Sequence, residues 1–128
     1  MRKGGILHPV LSRILSETGH TDTLTICDRG FPVPQGPERL DLALVDDIPT
    51  ALDVLRAIAA EFVIDKLIVT KEMQSFSPER FDWITREFGE EKLLIVSHLQ
   101  FKEICPDSRA VIRTGDSTPY ANMMIISG

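Results

Sequence analysis

Apolar positions along the chain follow two spacings, and segments of the two kinds alternate from one end to the other. Residues 6–17 carry apolar side chains at helical spacing, with Pro9 in the first turn, where a missing N–H costs little, so they predict an amphipathic helix. TLTIC at 23–27 is a β-branched apolar run and predicts a buried strand. The same reasoning predicts further strands at 39–44, 66–70, 93–97, 110–114 and 122–127, and further helices beginning near Pro49, at Ser77 and at His98.

This order of elements predicts an α/β fold. Strands and helices alternate, and the strands are continuously apolar, which is typical of strands buried on both faces of a parallel sheet. We therefore expect one three-layer α/β/α domain over residues 1–128, with a mostly parallel central sheet of about six strands.

Composition narrows the possible partners. With 43% hydrophobic and 26% charged residues and no apolar run near membrane-spanning length, the chain resembles a soluble domain with no membrane partner. Its net charge is -5 and its basic residues are scattered, so we do not expect nucleic acid binding. No signal-peptide pattern is present, and we expect Cys27 and Cys105 to be reduced thiols in a cytoplasmic protein.

Polar side chains follow several of the predicted strands. In parallel sheets, ligands bind outside the carboxyl ends of the strands. Asp28 follows the strand at 23–27, His98 follows that at 93–97, and a polar loop with Tyr120 and Asn122 follows that at 110–114. Each has a structural alternative: Asp28 could pair with Arg29, His98 could cap its helix, and the loop residues could satisfy local backbone groups.

His20 is a harder case, because it precedes the first strand instead of following it. It can join the other residues only if its loop folds back or a neighbouring subunit supplies it, and it could equally be a surface residue after a helix. Together with His8, His98 and Asp28 it does not have the spacing of a metal site, and no nucleotide-binding motif occurs. We expect no cofactor and no metal.

Six stretches of the chain form a longer pattern: GILHPVLSRIL, GHTD, ICDRGFPVP, RLDLAL, VSHLQFK and RTGDSTPYAN. In this order, and at similar separations, they resemble the D-ribose pyranase family, small sugar mutarotases associated with ribose uptake. The sister family of L-fucose mutarotases shares the GH pair but lacks the TPYAN form, so the resemblance favours ribose. Two positions beside the expected site depart from the pattern: Arg29 stands where a small residue is expected, and Asp116 replaces a glutamate.

The resemblance implies a function for the candidate residues. It makes His20 the catalytic histidine, and the sugar-binding positions are Asp28, His98, Tyr120, Ala121 and Asn122. It also implies a ring-shaped homo-oligomer with sites between subunits, which would explain the position of His20.

The resulting hypothesis is an isomerase that interconverts the β-pyranose and β-furanose forms of D-ribose by general acid/base ring opening and reclosure, without a cofactor. The alternatives are a non-catalytic ribose-binding or regulatory module and a mutarotase for another sugar such as L-fucose. A third is a metal-dependent hydrolase or aldolase built on His20, Asp28 and His98.

Overall fold

The computed structural model describes all 128 residues and contains six strands and five α-helices. The helices are α1 (Pro9–Glu17), α2 (Ala51–Ala59), α3 (Lys71–Phe76), α4 (Pro78–Phe88) and α5 (His98–Ile104). The strands are β1 (Thr23–Cys27), β2 (Glu38–Asp41), β3 (Ile64–Thr70), β4 (Leu93–Val96), β5 (Ala110–Arg113) and β6 (Met123–Ser127).

The strands form one sheet in the order β2-β5-β1-β6-β3-β4. β5 pairs in parallel with β1 and β2, and β3 pairs in parallel with β4. β6 lies between β1 and β3 and runs antiparallel to both. Five of the six strands therefore end at the same edge, here called the carboxyl edge, and the predicted mostly parallel sheet is confirmed.

The central strands of the sheet are covered on both faces, as the sequence predicts, whereas the outermost strands β2 and β4 are partly exposed. Leu24 and Ile26 of β1 belong to the larger core, which contains the buried side chains of α1, α2 and α4. Cys27, on the opposite side of the same strand, packs in a smaller core with Phe31 and with Phe101 of α5. The second outer layer is therefore thin and consists of α5 and the segment directly after β1.

Two predicted elements differ from their predicted bounds by three residues at one end, for local reasons. α1 begins at Pro9 instead of residue 6, because Nδ1 of His8 accepts a hydrogen bond from Leu11 N–H (3.3 Å) and caps the helix. β2 ends at Asp41 instead of residue 44, since the Asp41 carboxylate accepts the N–H of Ala43 (3.2 Å) and turns the chain.

The sequence reasoning missed helix α3, which begins directly after β3. Thr70 caps it by accepting the N–H of Met73 (3.1 Å). Ser77 precedes α4 as predicted, but its side chain does not cap that helix and instead donates to the carbonyl of Pro119 (3.5 Å). α3 matters because it brings Glu72 to the carboxyl edge of the sheet.

Neither cysteine forms a disulfide, and both thiols are buried. Burial raises the pKa of Cys27 and of Cys105, so both stay protonated and weakly nucleophilic near neutral pH. No helix in the structure has the length and apolar character needed to cross a membrane.

Because helix residues of the larger core pack on the sheet, we expect a large loss of stability when one of their side chains is truncated. Leu55 of α2 is fully buried, whereas Leu99 of α5 is 65% exposed. We expect Leu55→Ala to lower the free energy of unfolding by about 2–5 kcal/mol, because it removes buried methyl groups and leaves a cavity. Urea unfolding measures this change, and Leu99→Ala, the same substitution at an exposed site, should be several times less costly. Equal losses in the two variants would contradict the assigned core.

Candidate active site

A cavity of about 320 Å³ opens at the carboxyl edge of the sheet. Its walls are the segment after β1, the first residue of α5 and the loop between β5 and β6. Because β6 runs antiparallel, the loop from Thr114 to Asn122 both begins and ends at this edge. The volume lies at the small end of the range of about 300–1,000 Å³ for ligand pockets, so a ligand the size of a monosaccharide would suit it.

The β5–β6 loop is held to its neighbours by hydrogen bonds at its first residues. The Thr114 hydroxyl donates to the carbonyl of Cys27 (2.8 Å), and Ser117 N–H donates to the Asp47 carboxylate (2.9 Å). Gly115 passes so close to the 45–48 segment that a side chain there would collide with its backbone. These contacts orient the loop before it reaches the cavity.

Asp28 lines the cavity where β1 ends. One of its carboxylate oxygens accepts Gly30 N–H (2.9 Å), which turns the chain away from the strand. Burial raises the pKa of Asp28, against this hydrogen bond, and the nearby charge of Asp116 raises it further. One alternative predicted that Asp28 pairs with Arg29. The Arg29 guanidinium instead pairs with Asp46 (2.8 Å). The Asp28 carboxylate therefore retains capacity to accept hydrogen bonds from a ligand.

His98 lies on the opposite wall of the cavity. It does not cap α5, because Ser97 is the capping residue, and the backbone N–H of His98 donates to the Glu72 carboxylate (2.7 Å). Burial lowers the pKa of the imidazole, so the ring is neutral at neutral pH. Its Nδ1 is buried and has no hydrogen-bond partner in the protein. A buried polar atom without a partner costs free energy, and a ligand hydroxyl is a suitable partner.

Tyr120 forms an aromatic wall beside His98. Its ring lies edge-on to the imidazole (centroids 5.0 Å apart) and stacks on Phe76 of α3 (5.2 Å). Its backbone has φ of 60°, a left-handed conformation that is costly for a bulky residue. Backbone strain of this kind is common at functional sites.

Asn122 and Ala121 differ in what they offer the cavity. Asn122 lines it and is 1% exposed, and its side-chain oxygen accepts Asp28 N–H (2.8 Å), which ties the loop to the end of β1. The side chain of Ala121 belongs to the larger core and does not line the cavity. Any ligand contact at Ala121 would therefore be through its backbone.

His20 lies away from these residues. It follows α1 and precedes β1, whereas Asp28 follows β1. The five residues of that strand separate the two positions by about 16 Å at 3.3 Å per residue. His20 is exposed at the opposite edge of the sheet, so within one chain the structure does not bring it to the cavity.

Sequence reasoning missed two residues that support the site, Glu72 and Phe76. Glu72 holds the backbone of His98, and Phe76 stacks on Tyr120. The position of Glu72 is the signal that could have found it, because it comes two residues after β3, just as Asp28 comes directly after β1. Phe76 has no such signal, since its place beside Tyr120 depends on the missed helix α3.

The site combines a carboxylate, a neutral imidazole, a phenol ring and an amide around a small polar cavity. Such a set can pair with several hydroxyl groups and can transfer protons, which suits a small polyhydroxylated ligand. No three His, Cys, Asp or Glu side chains converge in the geometry of a metal site. In particular, the set of His20, Asp28 and His98 considered for a hydrolase or aldolase does not assemble within one chain.

Comparison with known proteins identifies relatives over the whole chain. The model of the RbsD / FucU transport protein family matches residues 1–128. A D-ribose pyranase from Clostridium tetani is 41% identical over 128 residues, which cover 100% of this chain and 98% of that protein.

Solved structures show the same fold. The structure of Bacillus subtilis RbsD complexed with D-ribose matches with a TM-score of 0.94 and 38% identity, covering 100% of this chain and 98% of that one. A fucose mutarotase from Streptococcus pneumoniae, in complex with L-fucose, matches with a TM-score of 0.77 over 95% of this chain and 93% of that one. It is only 17% identical, so it supports the fold alone.

The raised pKa of Asp28 predicts that this carboxylate destabilises the folded protein. The folded state binds the proton of Asp28 more tightly than the unfolded state, so stability falls as pH rises through the two pKa values. Asp28→Asn should therefore melt at a higher temperature than the wild type near neutral pH, and the advantage should vanish below about pH 4, where both states are protonated.

Thermal unfolding followed by circular dichroism across this pH range measures the difference. Asp82→Asn, the same change at an exposed position of α4, is the matched control and should show no such trend. A lower melting temperature for Asp28→Asn near neutral pH would contradict the assignment.

Proposed function

The chain belongs to the RbsD / FucU transport protein family, and we propose that it is a D-ribose pyranase. In this role it is an isomerase that interconverts the β-pyranose and β-furanose forms of D-ribose without a cofactor. The observation that carries the proposal is the convergence of Asp28, His98, Tyr120 and Asn122 on one small polar cavity, in a chain similar over its full length to D-ribose pyranases.

The reaction requires proton transfers and no redox change. The bond from the anomeric carbon to the ring oxygen breaks, the free aldehyde forms, and the ring recloses through a different hydroxyl. One group accepts the proton of the anomeric hydroxyl while another donates a proton to the departing ring oxygen. Positioned acid/base groups accelerate such steps by about 10²- to 10⁴-fold, which is enough for a reaction that already proceeds in water.

The cavity offers partners for the hydroxyls of a pentose. Asp28 can accept hydrogen bonds, and the free Nδ1 of His98 can pair with a further hydroxyl. The Tyr120 ring presents an apolar face to the C–H surface of a sugar. Backbone groups at Ala121 and the side chain of Asn122 complete the proposed contacts.

His20 enters the proposal as the catalytic acid/base, since an imidazole can both accept and donate a proton. It lies at the opposite edge of the sheet from the cavity of its own chain, so we propose that a neighbouring subunit supplies it. This arrangement requires a homo-oligomer with each site between two subunits, and we propose that it is of ring type. We further propose that this oligomer works in the cytoplasm on D-ribose.

An enzyme accelerates exchange between the ring forms of D-ribose in solution, whereas a simple binding protein does not. We expect catalytic amounts of the protein to accelerate exchange between the β-pyranose and β-furanose signals of D-ribose, measured by magnetisation-transfer NMR. L-fucose, the matched control sugar, should show little acceleration of its own ring-form and anomer exchange. Ribose binding without accelerated exchange would instead identify a binding module, and preferential acceleration of fucose would identify a mutarotase for that sugar.

A shared site can be tested by subunit complementation. We expect His20→Ala to abolish exchange while leaving ribose affinity, measured by calorimetry, largely intact, and Asp28→Asn to lose activity through weak binding. Refolding the two variants together in equal amounts should restore about one quarter of wild-type activity, because about one in four random subunit pairs joins an intact His20 to an intact Asp28.

The two single variants, refolded separately, are the controls for this experiment. If the mixture stays inactive, His20 and Asp28 do not meet across subunits. Full activity of His20→Ala alone would remove its catalytic role.

A further inference from the structure

We propose that Asp116 and Arg80 are a pair of positioning residues, which hold the β5–β6 loop in the conformation that brings Tyr120 and Asn122 to the cavity. The expected effect on ribose binding rests on the proposed function, whereas the effect of the pair on the loop conformation can be measured without it. Neither residue is among the predicted catalytic or sugar-binding positions.

The carboxylate of Asp116 joins three separate parts of the chain. One oxygen, Oδ2, accepts the guanidinium of Arg80 in α4 (2.6 Å) and the N–H of Ala51 at the start of α2 (2.9 Å). The other, Oδ1, accepts the N–H of Thr118 in its own loop (3.0 Å). Asp116 therefore fastens the middle of the loop to two helices.

The main chain of Asp116 extends these connections toward the cavity. Its carbonyl accepts Arg29 N–H (3.0 Å), next to Asp28, and its N–H donates to the Thr114 hydroxyl (3.2 Å). A displacement of Asp116 would therefore move the loop and the segment after β1 together.

Asp116 borders the cavity but does not expose its carboxylate there. It is 0% exposed, and its two oxygens already accept three N–H groups. Arg80 is 15% exposed at the side chain, and its contact with Asp116 is charge-assisted. The pair must therefore act on a ligand through the loop it holds.

The loop needs such a restraint because Tyr120 has an unfavourable left-handed backbone. Thr118, bonded directly to Asp116, lies two residues before Tyr120. Release of Thr118 would allow the backbone of Tyr120 to relax, and the ring would then leave its place between Phe76 and His98. We infer that the ion pair maintains this strained geometry.

The test uses the full-length protein with Asp116→Asn, Arg80→Met and the double variant. Asp116→Asn keeps the shape of the side chain but places an amide group opposite the guanidinium. Arg80→Met leaves the buried carboxylate without its charged partner. Arg80→Lys retains a positive charge and should recover part of the loss, and it replaces Arg80→Met if that variant does not fold.

Tyr120 is the one tyrosine in the chain, so incorporation of 3-fluorotyrosine places a single ¹⁹F label in the site. We expect each single variant to shift or broaden the ¹⁹F signal of the ligand-free protein. Each should also weaken ribose binding by roughly 10- to 100-fold, because a loop released from one charge-assisted hydrogen bond occupies the binding conformation less often, with a smaller change in kcat than in KM. The double variant should lose less than the product of the two singles, because the two groups act on each other.

Asp82→Asn, at an exposed position two residues after Arg80, is the matched control and should leave the ¹⁹F signal, ribose affinity and exchange rate at wild-type values. A lower melting temperature in folded Asp116→Asn, with an unchanged ¹⁹F signal and ribose affinity, would overturn the proposal and leave the pair a purely structural role. If the wild type does not bind ribose, the proposed function fails, and the ¹⁹F signal of the ligand-free variants still decides the positioning role.

Discussion

The rest of this structure depends on the backbone hydrogen bonding of β6 between β1 and β3. Without β6, the sheet would divide into β2-β5-β1 on one side and β3-β4 on the other, because no other strand joins them. β6 is also the one antiparallel strand, so the chain leaves β5 and enters β6 at the same carboxyl edge. That requirement places the whole β5–β6 loop across the ends of the parallel strands. The fold therefore puts the polar β5–β6 loop where ligands bind in sheets of this kind.

Asp116 in this loop and Asp28 beside it differ in role because their surroundings differ. Asp116 is fully buried, and its oxygens are occupied by an arginine and two backbone N–H groups, so it suits a structural link. Asp28 is partly buried, its carboxylate accepts the backbone N–H of Gly30, and burial raises its pKa. A carboxylate that is desolvated but incompletely paired destabilises the folded chain, and a ligand with hydroxyl groups can relieve that cost. Two further features of the cavity are also unfavourable without a ligand: the unpartnered Nδ1 of His98 and the left-handed backbone of Tyr120.

The proposed reaction requires few groups of its site. Ring opening and reclosure need a positioned proton donor and acceptor, and they need the sugar hydroxyls to be paired while the ring form changes. In the proposal, one chain presents the hydroxyl-binding side of such a site, at the carboxyl edge. In the proposal the acid/base histidine comes from a second subunit, so assembly and activity are coupled. In this proposal, the oligomer explains why His20 lies at the far edge of its own sheet.

The amino-acid sequence determined the fold class and most elements, because hydrophobic spacing is a local property of the chain. It also marked Asp28, His98, Tyr120 and Asn122 as neighbours, since residues after strands of a parallel sheet converge at one edge. It did not reveal α3, whose apolar side is too short for a clear period, nor the pairing of Arg29 with Asp46 in place of Asp28. The link from Asp116 to Arg80 joins residues 36 positions apart, and the contact of Phe76 with Tyr120 joins residues still farther apart. Only tertiary structure decides such contacts, because they depend on how helices pack on the sheet and not on any spacing along the chain.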